Sequence, residues 1–391
     1  MKIFHWIGTG NLPKEPGGEA LSGVTKAALK LAEAQTRLGH NVTVGSAGTV
    51  SWKMRWHGMN LVSLKVAPWA VMRWNGVSYD LRQHIPLALY LERHFYDVIH
   101  MHLYYYMRFL RAQRKIVHFH ADPLDSNSSL TDADWTGVIK YSHGAIAVSN
   151  YVVGRVREGV PNKEWPVIPI LNGVDSPTDS KKSISKTASE LRKKLGIDTG
   201  DFVFLYAGAI AQVKGVHVLA QTFMKMAARL PNIHLLLAGS SHLWDGALGH
   251  VLPTSFESSI HQTLEPLQAL GRVHYLGSVP SDDMPTVYRA ADTLVVPSIW
   301  NEALGLVVLE SIAAGVPVIA SRVGGIPEII NEETGILVEP NNACALETAM
   351  NDMVTQSGLH EFLRSHCEFR AKKFSWRRAA EESLNFYESI H

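Results

Sequence analysis

Short apolar runs alternate with longer amphipathic segments along almost the whole chain, and this alternation limits the fold more than any other feature. Apolar runs of about four to eight residues predict buried strands, whereas a 3.6-residue period predicts helices that pack on them. Strands that alternate with helices are typical of α/β proteins with parallel sheets. We predict helices at 24–38, 216–230, 284–290, 303–314 and 375–390, and strands at 3–7, 42–45, 97–102, 115–119, 144–148, 202–206, 234–238, 273–276, 293–296, 316–320 and 335–338.

The chain has 391 residues, which exceeds one ordinary core and fits two domains of roughly 150 to 200 residues. A turn at 171–175 and a polar stretch at 176–190, interpreted as a linker or exposed loop, separate two series of strands and helices. We predict a first domain over 1–175, completed by a crossing helix at 375–391, and a second over 176–374. Two such domains that face each other create a cleft at the strand ends, where ligands bind.

The composition excludes several classes of protein. Hydrophobic residues make up 46% and charged residues 19%, as in ordinary globular proteins, and a net charge of +1 gives no electrostatic ground for binding nucleic acid. Cys344 and Cys367 provide no disulfide framework, which favours a reducing compartment. The N-terminus lacks a signal-peptide pattern, and charged or helix-breaking residues interrupt the longest apolar stretch, 304–320. We expect a cytoplasmic protein, with peripheral association at the inner membrane face left open.

Two glutamates stand eight positions apart, Glu302 and Glu310, and the second lies inside an apolar run. A buried carboxylate is costly unless it has a partner, and a ligand rich in hydroxyl groups would supply one. If 303–314 is helical, the pair spans about 12 Å, roughly the distance from a nucleotide ribose to a sugar on its pyrophosphate. The alternative is that each glutamate only caps a helix or makes a contact between domains.

Two glycine-containing loops follow the first strands of the two predicted domains. Gly23 closes a glycine-rich loop that leads into a helix, where backbone amides favour an anion. Gly208 begins the second loop, and Lys214 stands just before a helix, where its ammonium group would meet a diphosphate. Neither loop has the dinucleotide-binding or the Walker A spacing. The alternatives are a simple chain turn and a solvated lysine.

Histidines occupy alternate positions in two predicted strands, His100 with His102 and His118 with His120. Two histidines on one strand face could contribute to a metal site, but no carboxylate or cysteine follows at a metal-site spacing, so we predict no metal. His120 stands just past its strand and fits a hydrogen-bonding role in a cleft, with a structural role as the alternative.

Aromatic residues are concentrated in the predicted first domain. Four of the ten tryptophans fall within 23 residues and are interleaved with arginines and a tyrosine. Aromatic rings pack on the apolar faces of sugars or on lipid chains, so we predict an acceptor-binding surface, with core packing as the alternative. The residues concerned are Trp52, Arg55, Trp56, Trp69, Arg73, Trp74 and Tyr79.

Together these motifs resemble the retaining glycosyltransferases of family 4, which have the two-domain GT-B fold: two Rossmann-like parallel-sheet domains that face each other across a cleft. The resemblance runs nearly end to end and is strongest in the second half. It rests on Pro297-Ser298, Glu302, Glu310, 314–320, Gly324-Gly325-Ile326-Pro327-Glu328 and 335–338 there, and on Ser22-Gly23-Val24, His120, 147–149, 172–175 and Phe374-Ser375-Trp376 elsewhere.

The resemblance implies a role for each matching residue. Glu310 would hold the ribose hydroxyls, and Glu302 would hold hydroxyls of the transferred sugar. Lys214 would neutralise the pyrophosphate as the nucleotide leaves. The residues implied to contact the donor in other ways are Gly23 and Gly208 in the phosphate loops, His120 at the sugar, and Ala303, Leu304, Gly305 and Leu306 through backbone amides.

One position departs from the family pattern. The family usually places an arginine directly after the first glycine of the 208–215 loop, as a second cation on the pyrophosphate, and Ala209 stands there instead. Another basic residue must compensate, or the donor is held less firmly.

The implied activity is the transfer of a sugar from a nucleoside diphosphate sugar to an acceptor hydroxyl with retained configuration. His120, Lys214 and Glu302 would serve the reaction, without a cofactor or a metal. Family frequency favours UDP-glucose or UDP-N-acetylglucosamine as the donor, and a saccharide or lipid-linked saccharide as the acceptor in polysaccharide synthesis. The alternatives are glycosylation of a small metabolite, a UDP-sugar 2-epimerase and a non-catalytic nucleotide-sugar binding protein.

Overall fold

A computed structural model describes residues 1–9, 12, 22–74, 77–103, 110, 112, 114–125, 130–161, 164–175, 181–241 and 254–390; the side chains at 72–80, 133 and 181–183 lie outside this description. The chain divides into two compact units. The first contains the N-terminal strand, Gly23–Gly173 and Trp376–His391, and the second contains Val174–Ser375.

The first unit is an α/β unit that contains the helix and all five strands predicted before residue 149, together with elements that were not predicted. Its elements are β1 (Lys2–Trp6), α1 (Gly23–Arg37), β2 (Asn41–Gly48), β3 (Trp52–Trp56), β4 (Met59–Lys65), β5 (Val71–Trp74), β6 (Val77–Asp80), α2 (His84–Arg93), β7 (Val98–Met101), β8 (Arg114–Phe119), α3 (Asp132–Tyr141), β9 (Gly144–Ala147), α4 (Asn150–Gly159), β10 (Val167–Pro169) and the C-terminal α13 (Trp376–Ser389).

An eight-stranded sheet forms the centre of the first unit, in the order β10-β9-β8-β7-β1-β2-β4-β3. All its neighbouring strands run parallel except β3 and β4, and β5 and β6 form a separate antiparallel pair. The central strands β1, β7, β8 and β9 are almost wholly buried. Helices cover both faces of such a sheet, which is why these strands carry nearly continuous apolar runs. The C-terminal helix α13 packs on α1.

The second unit has a six-stranded sheet, all parallel, in the order β13-β12-β11-β14-β15-β16. Because β11 and β14 are neighbours, the loops at their carboxyl ends lie side by side. The elements of this unit are α5 (Lys181–Lys194), β11 (Phe202–Ala207), a 3₁₀ turn (Gln212–Lys214), α6 (Val216–Ala227), β12 (Ile233–Ala238), α7 (Ser255–Ala269), β13 (Val273–Gly277), α8 (Met284–Ala290), β14 (Thr293–Val296), α9 (Leu306–Ala313), β15 (Val318–Ser321), α10 (Ile326–Ile329), β16 (Gly335–Val338), α11 (Ala343–Thr355) and α12 (Leu359–Ala371).

The prediction of a linker at 176–190 is wrong over its second part, because α5 begins at Lys181. This helix packs on α8 through few apolar side chains, of which Ala188 is 4% exposed. Arg192 fixes its end by donating to the carbonyl of Ala290 at 2.8 Å and by pairing with Asp292 at 2.5 Å. The polar composition concealed a helix whose packing depends on small and charged residues.

The described part of the chain contains no helix with both the length and the apolar character needed to cross a membrane. The two short strands β3 and β4, which extend the first sheet beyond β2, were not predicted, because their alternating polar residues break the apolar runs.

Candidate functional site

Close backbone packing holds together the two loops that follow β11 and β14. Gly215 has φ +67°, and a Cβ atom there would lie 1.9 Å from the carbonyl oxygen of Pro297. The amide of Ile299 donates to the carbonyl of Val213 at 2.8 Å. Only glycine fits position 215 without displacing the second loop, because a side chain would meet backbone atoms. The two loops therefore form one surface at the carboxyl edge of the sheet.

That surface carries a tightly paired cation and anion, Lys214 and Glu302. The Nζ atom of Lys214 donates to Oε1 of Glu302 at 2.6 Å, and the hydroxyl of Ser298 donates to the same oxygen at 2.6 Å. The Lys214 side chain is 17% exposed and that of Glu302 is 13% exposed. The ammonium group also lies 4.9 Å from the centre of the Trp300 ring. Charge-assisted bonds and a cation–π contact offset the cost of burying the pair.

The backbone at Glu302 is held from a third loop, which follows β15. The amide of Gly325 donates to the carbonyl of Glu302 at 2.8 Å. Gly324 has φ +54°, and a Cβ atom there would lie 1.9 Å from that same carbonyl oxygen. The Gly324-Gly325 pair thus brings this loop against the backbone of Glu302.

The helix after Glu302 begins later than predicted. It was expected over 303–314, but α9 starts at Leu306, after Gly305 in the left-handed region with φ +93°. Glu302 therefore precedes the helix, and the distance of 12 Å derived for a continuous helix does not apply. The residues from Ala303 to Leu306 form the approach to the helix N-terminus. Amides at a helix start lack acceptors within the helix, and the helix dipole favours an anion there.

Glu310 lies in the middle of α9 and is half-buried. The hydroxyl of Tyr288, on α8, donates to Oε2 of Glu310 at 2.8 Å. Burial, followed by the neighbouring carboxylate, raises the pKa of Tyr288 well above its ordinary value, so the phenol stays protonated. Tyr288 was not predicted as a site residue. Nothing in its local sequence marks it, because the contact depends on how α8 packs on α9.

Ala209 is buried, with 5% exposure. Its carbonyl oxygen accepts a hydrogen bond from the hydroxyl of Tyr206 at 2.5 Å. The loop that begins at Gly208 therefore presents a small apolar side chain at the position where the family pattern has a cation. Within the loop 208–215, Lys214 is the one basic residue.

In the first unit, His120 follows β8 and joins a cluster of imidazole rings. Its Nε2 atom is 2.7 Å from Nδ1 of His102, and its ring stacks on that of His118 with centroids 4.1 Å apart. His5 of β1 extends the cluster, with Nδ1 2.9 Å from Nε2 of His102. The prediction placed the histidines of β7 and β8 on like faces but did not include His5, because strand order was unknown.

Burial keeps these rings neutral. Burial lowers the pKa of His120 to about 3 and that of His5 to about 4. It also lowers the pKa values of His100, His102 and His118 well below their ordinary value, and the neighbouring rings add to the effect. Two groups of ring nitrogens come within 4.8 Å of one another, namely those of His5, His100 and His102 and those of His102, His118 and His120. Several of these nitrogens are already engaged in hydrogen bonds with each other.

The chain segment after His120 is anchored by Asp122, which is 8% exposed. Its Oδ2 atom accepts from the hydroxyl of Tyr151 at 2.6 Å and from Nε of Arg155 at 2.9 Å, and its Oδ1 accepts from the amide of Leu124 at 2.9 Å. Asp122 was not predicted as a site residue. Its buried ion pair restricts the backbone just past β8, and so it limits the movement of His120.

Parts of the remaining predictions fall outside the described residues. Gly23 is the first residue of α1, but residues 17–21 of its loop lie outside the description. Of the predicted acceptor surface, Trp69 is 75% exposed and Trp52 and Trp56 are half-buried on β3. The side chains of Arg73, Trp74 and Tyr79 lie outside the description, so this surface stays a prediction.

Family models cover most of the sequence. Residues 187–373 match the model of glycosyl transferases group 1, and residues 21–176 match the model of glycosyltransferase family 4. The chain belongs to the family 4 glycosyltransferases. The enzyme is 28% identical to spore coat protein SA of Bacillus subtilis over 249 residues, which are 62% of this chain and 64% of that protein. Matches to two further curated glycosyltransferases cover 47% of each of those proteins, so the chain spans about half to two thirds of these relatives.

Solved structures confirm the fold of this glycosyltransferase. HepE of Anabaena, in complex with UDP and glucose, has a TM-score of 0.75 at 19% identity, with 100% of both chains covered. Sucrose-phosphate synthase of Thermosynechococcus elongatus has a TM-score of 0.78 at 21% identity, with 100% of this chain and 99% of that chain covered. The predicted GT-B class of two parallel-sheet α/β domains is therefore confirmed.

Proposed function

We propose that this glycosyltransferase moves a sugar from a nucleoside diphosphate sugar to a hydroxyl of a saccharide or lipid-linked saccharide, with retained anomeric configuration. The observation that carries the proposal is the Lys214–Glu302 pair, which stands where the loops after β11 and β14 meet. One cation and one carboxylate are thereby presented together at the carboxyl edge of a parallel sheet, the edge where such folds bind nucleotides.

In this proposal, the two members of the pair serve different parts of the donor. The ammonium group of Lys214 stabilises the negative charge that builds on the diphosphate as the glycosidic bond breaks. The carboxylate of Glu302 accepts hydrogen bonds from hydroxyls of the transferred sugar. Amides at the start of α9 add fixed positive dipoles near the phosphates. Groups that are held in place before the reaction stabilise developing charge without the cost of reorganisation.

Glu310 would accept hydrogen bonds from the two ribose hydroxyls of the nucleotide. Tyr288 occupies one of its oxygens and orients the carboxylate. A carboxylate with two oxygens has about four acceptor positions, so one phenol leaves capacity for a diol. This assignment puts nucleotide recognition on α9 and sugar recognition on the loop just before it.

The donor is proposed to be UDP-glucose or UDP-N-acetylglucosamine, in line with the UDP and glucose found in HepE. No metal is invoked, because Lys214 and the helix amides supply positive charge. In the first unit, His120 is proposed to bind a hydroxyl of a substrate sugar. Synthesis of a polysaccharide is the favoured pathway. Glycosylation of a small metabolite is the alternative, and the choice of acceptor distinguishes the two.

One observation favours a second candidate, a nucleotide-sugar binding protein without turnover. Ala209 removes the second cation that family members carry on the diphosphate, and a leaving group that is poorly neutralised leaves slowly. Such a protein would bind UDP and its sugars but consume none of them. A 2-epimerase would instead convert the donor, without any acceptor, into its 2-epimer, which stays attached to the nucleoside diphosphate.

A mass-spectrometric panel tests these candidates. Purified protein is incubated with each common nucleotide sugar, first alone and then with a mixture of simple saccharides and a lipid-linked saccharide. The proposal predicts transfer, or slow hydrolysis, with one donor. It also predicts that Glu302→Gln lowers the rate about 100-fold while Glu339→Gln, an exposed control, preserves it. Nucleotide binding without consumption of any donor would contradict the transferase and support the binding protein.

A further inference from the structure

A continuous row of hydrogen bonds connects the C-terminal helix α13 to His120. We call it the histidine row and define it as Ser383, Gln35, His5, His102 and His120. The link from Ser383 to Gln35 is 2.9 Å, from Gln35 to His5 2.8 Å, from His5 to His102 2.9 Å and from His102 to His120 2.7 Å. All members lie in the first unit, on α13, α1 and β1 and at the carboxyl ends of β7 and β8.

Ser383 fixes the orientation of the Gln35 amide. The hydroxyl of Ser383 donates its one proton to the carbonyl of Ala380 at 2.7 Å, so its oxygen can only accept from Gln35. The group of Gln35 that faces Ser383 must therefore be the NH₂ group. This leaves Oε1 of Gln35 as the atom that faces His5, and an amide oxygen can only accept.

Because Oε1 of Gln35 accepts, the proton of every ring in the row is assigned in turn. His5 carries its proton on Nε2 and donates it to Gln35, so its Nδ1 is an acceptor. His102 must then carry its proton on Nε2 and donate it to His5, which makes its own Nδ1 an acceptor. His120 in turn carries its proton on Nε2, donates it to His102, and keeps a lone pair on Nδ1.

A second branch from the same amide has the same polarity. The NH₂ group of Gln35 also donates to the hydroxyl of Tyr387 at 3.1 Å, and this hydroxyl forms a short hydrogen bond with Nδ1 of His100. The phenol proton therefore lies towards His100, whose Nε2 donates to Nδ1 of His118 at 2.9 Å. Nε2 of His118 has no partner among the described residues. The same orientation of the amide therefore gives both branches one polarity, and the second branch ends on the Nε2 proton of His118.

Neutral rings are needed for this polarity, because a doubly protonated ring donates from both nitrogens. The rings of His5, His100, His102 and His118 are between 0 and 3% exposed, and the described residues around them supply no carboxylate hydrogen bond to any of the five rings. His120 itself is partly exposed. Its Nδ1 is thus the last atom of the row and belongs to the one ring of the five that is partly exposed.

We propose that Ser383, Gln35, His5 and His102 are positioning residues that hold His120 in the tautomer with a lone pair on Nδ1, so that His120 accepts a hydrogen bond from a substrate hydroxyl. The proposal rests on the proposed function for the identity of that substrate, a sugar. The inference also predicts which groups bind here. Nδ1 of His120 accepts a hydrogen bond from a donor such as a hydroxyl, but it does not bind an ionised phosphate oxygen, which is only an acceptor.

Nuclear magnetic resonance tests the tautomer directly. In protein labelled with ¹⁵N-histidine, two-bond ¹H–¹⁵N correlations show which ring nitrogen carries the proton, and His120→Asn identifies the His120 signals among those of 19 histidines. We expect a protonated Nε2 and an unprotonated Nδ1 for His120, unchanged from about pH 8 to about pH 6. A proton on Nδ1, or averaged signals from two tautomers, would overturn the proposal.

Ser383→Ala tests whether the far end of the row sets the tautomer. Without the Ser383 oxygen, only the hydroxyl of Tyr387 still holds the NH₂ group of Gln35, so the amide can turn more easily, and a reversed row places a proton on Nδ1 of His120. We expect a mixture of tautomers at His120. Ser389→Ala is the matched control, because Ser389 also lies on α13 and donates to a backbone carbonyl, that of Phe386 at 2.9 Å, but it has no link to the row. Identical His120 spectra for the two variants would contradict the inference.

Two further measurements separate the alternatives. With the donor and acceptor identified, Ser383→Ala should lower kcat/KM by about 2- to 10-fold, the effect of one hydrogen bond, while UDP affinity stays unchanged. If the panel finds no turnover, the proposed function fails but the spectra still decide the inference. Elemental analysis tests whether the protein binds a metal. A stoichiometric divalent ion that is lost in His102→Asn would overturn the inference, because the ion would bind the ring nitrogens that the row treats as hydrogen-bond acceptors.

Discussion

The ammonium group of Lys214 lies 2.6 Å from the carboxylate of Glu302, across a separation of 88 residues. The pair is internally neutral and mostly buried, so a diphosphate that draws on Lys214 must share this cation with Glu302. In the proposed function, this sharing would let the carboxylate shift towards the sugar hydroxyls as the phosphates take up the positive charge. The proposed function thus predicts that binding of the two halves of the donor is coupled through one ion pair.

Glu302→Gln should separate turnover from nucleotide binding. The amide keeps the size of the side chain but removes the charge that hydroxyls of the reacting sugar and Lys214 both use. We expect kcat to fall about 100-fold, as for the loss of one preorganised electrostatic contact, with UDP affinity within about threefold of the wild-type value. Steady-state kinetics and calorimetry with UDP measure the two quantities, and Glu339→Gln is the exposed control. A parallel loss of both would contradict the assignment.

Tyr288→Phe and Glu310→Ala should weaken UDP binding to different degrees. The phenylalanine removes only the 2.8 Å hydrogen bond that orients Glu310, so we expect an increase in Kd of about 2- to 10-fold. The alanine removes the proposed ribose contact itself and should have the larger effect. Calorimetry with UDP and with uridine gives both values. If Tyr288→Phe weakens binding as much as Glu310→Ala, the phenol contributes more than orientation.

Ala209→Arg should strengthen the binding of the diphosphate. A second cation in the loop that carries Lys214 adds a charge-assisted hydrogen bond, which corresponds to a decrease in the Kd for UDP of about tenfold or more. The salt dependence of binding should become steeper because a further charge pair forms. Ala209→Met, of similar length and without charge, is the control for the buried position. Unchanged affinity in Ala209→Arg alone would show that the diphosphate does not approach this loop.

Acid should destabilise the first unit before the carboxylates titrate. Burial lowers the pKa of His5 from 6.5 to about 4, so the unfolded chain binds a proton there that the folded unit excludes. Stability is therefore fully present above pH 6.5 and is lost as the pH falls towards 4. His5 alone should lower the free energy of unfolding by about 2 kcal/mol between about pH 7 and about pH 5.

Calorimetric scans across this range measure the effect, and they resolve the two units where their transitions are separate. The groups that face His5 are the Gln35 amide and the rings of His100 and His102, none of which is an anion that would favour protonation. The variant His5→Asn should show a smaller pH dependence than the wild type. An unchanged pH dependence in this variant would assign the acid sensitivity to other groups.

Much of the fold follows from local patterns, because apolar runs and helical periods are properties of neighbouring residues. Strands such as β11 and β14 belong to this class, and so does the choice of Glu302 and Glu310 as candidate site residues. The start of α9 at Leu306 does not, because Gly305 adopts a left-handed conformation that the apolar run conceals. Helix α5 was missed for a related reason, since its buried face consists of small and charged residues.

Local sequence patterns could not predict the contacts that residues make across the sheet. The order of the strands brings β1 beside β7, and only this order places His5 next to His102. Similarly, Gln35 and Ser383 are 348 residues apart, and each is an ordinary polar residue in a helix when considered alone. Alternate histidines in β7 and β8 indicated a shared face, but the source of their orientation lies in elements at opposite ends of the sequence.

The place of α13 in the first unit has a consequence for synthesis on the ribosome. The residues of the second unit, Val174–Ser375, are translated before α13, so that unit can fold while the first still lacks its last helix. Until α13 emerges, Gln35 has neither Ser383 nor Tyr387 as an acceptor, and the imidazole cluster has no fixed polarity. The first unit can therefore complete its hydrogen bonds only after the whole second unit has been synthesised. Until then, polar groups in its interior lack their partners.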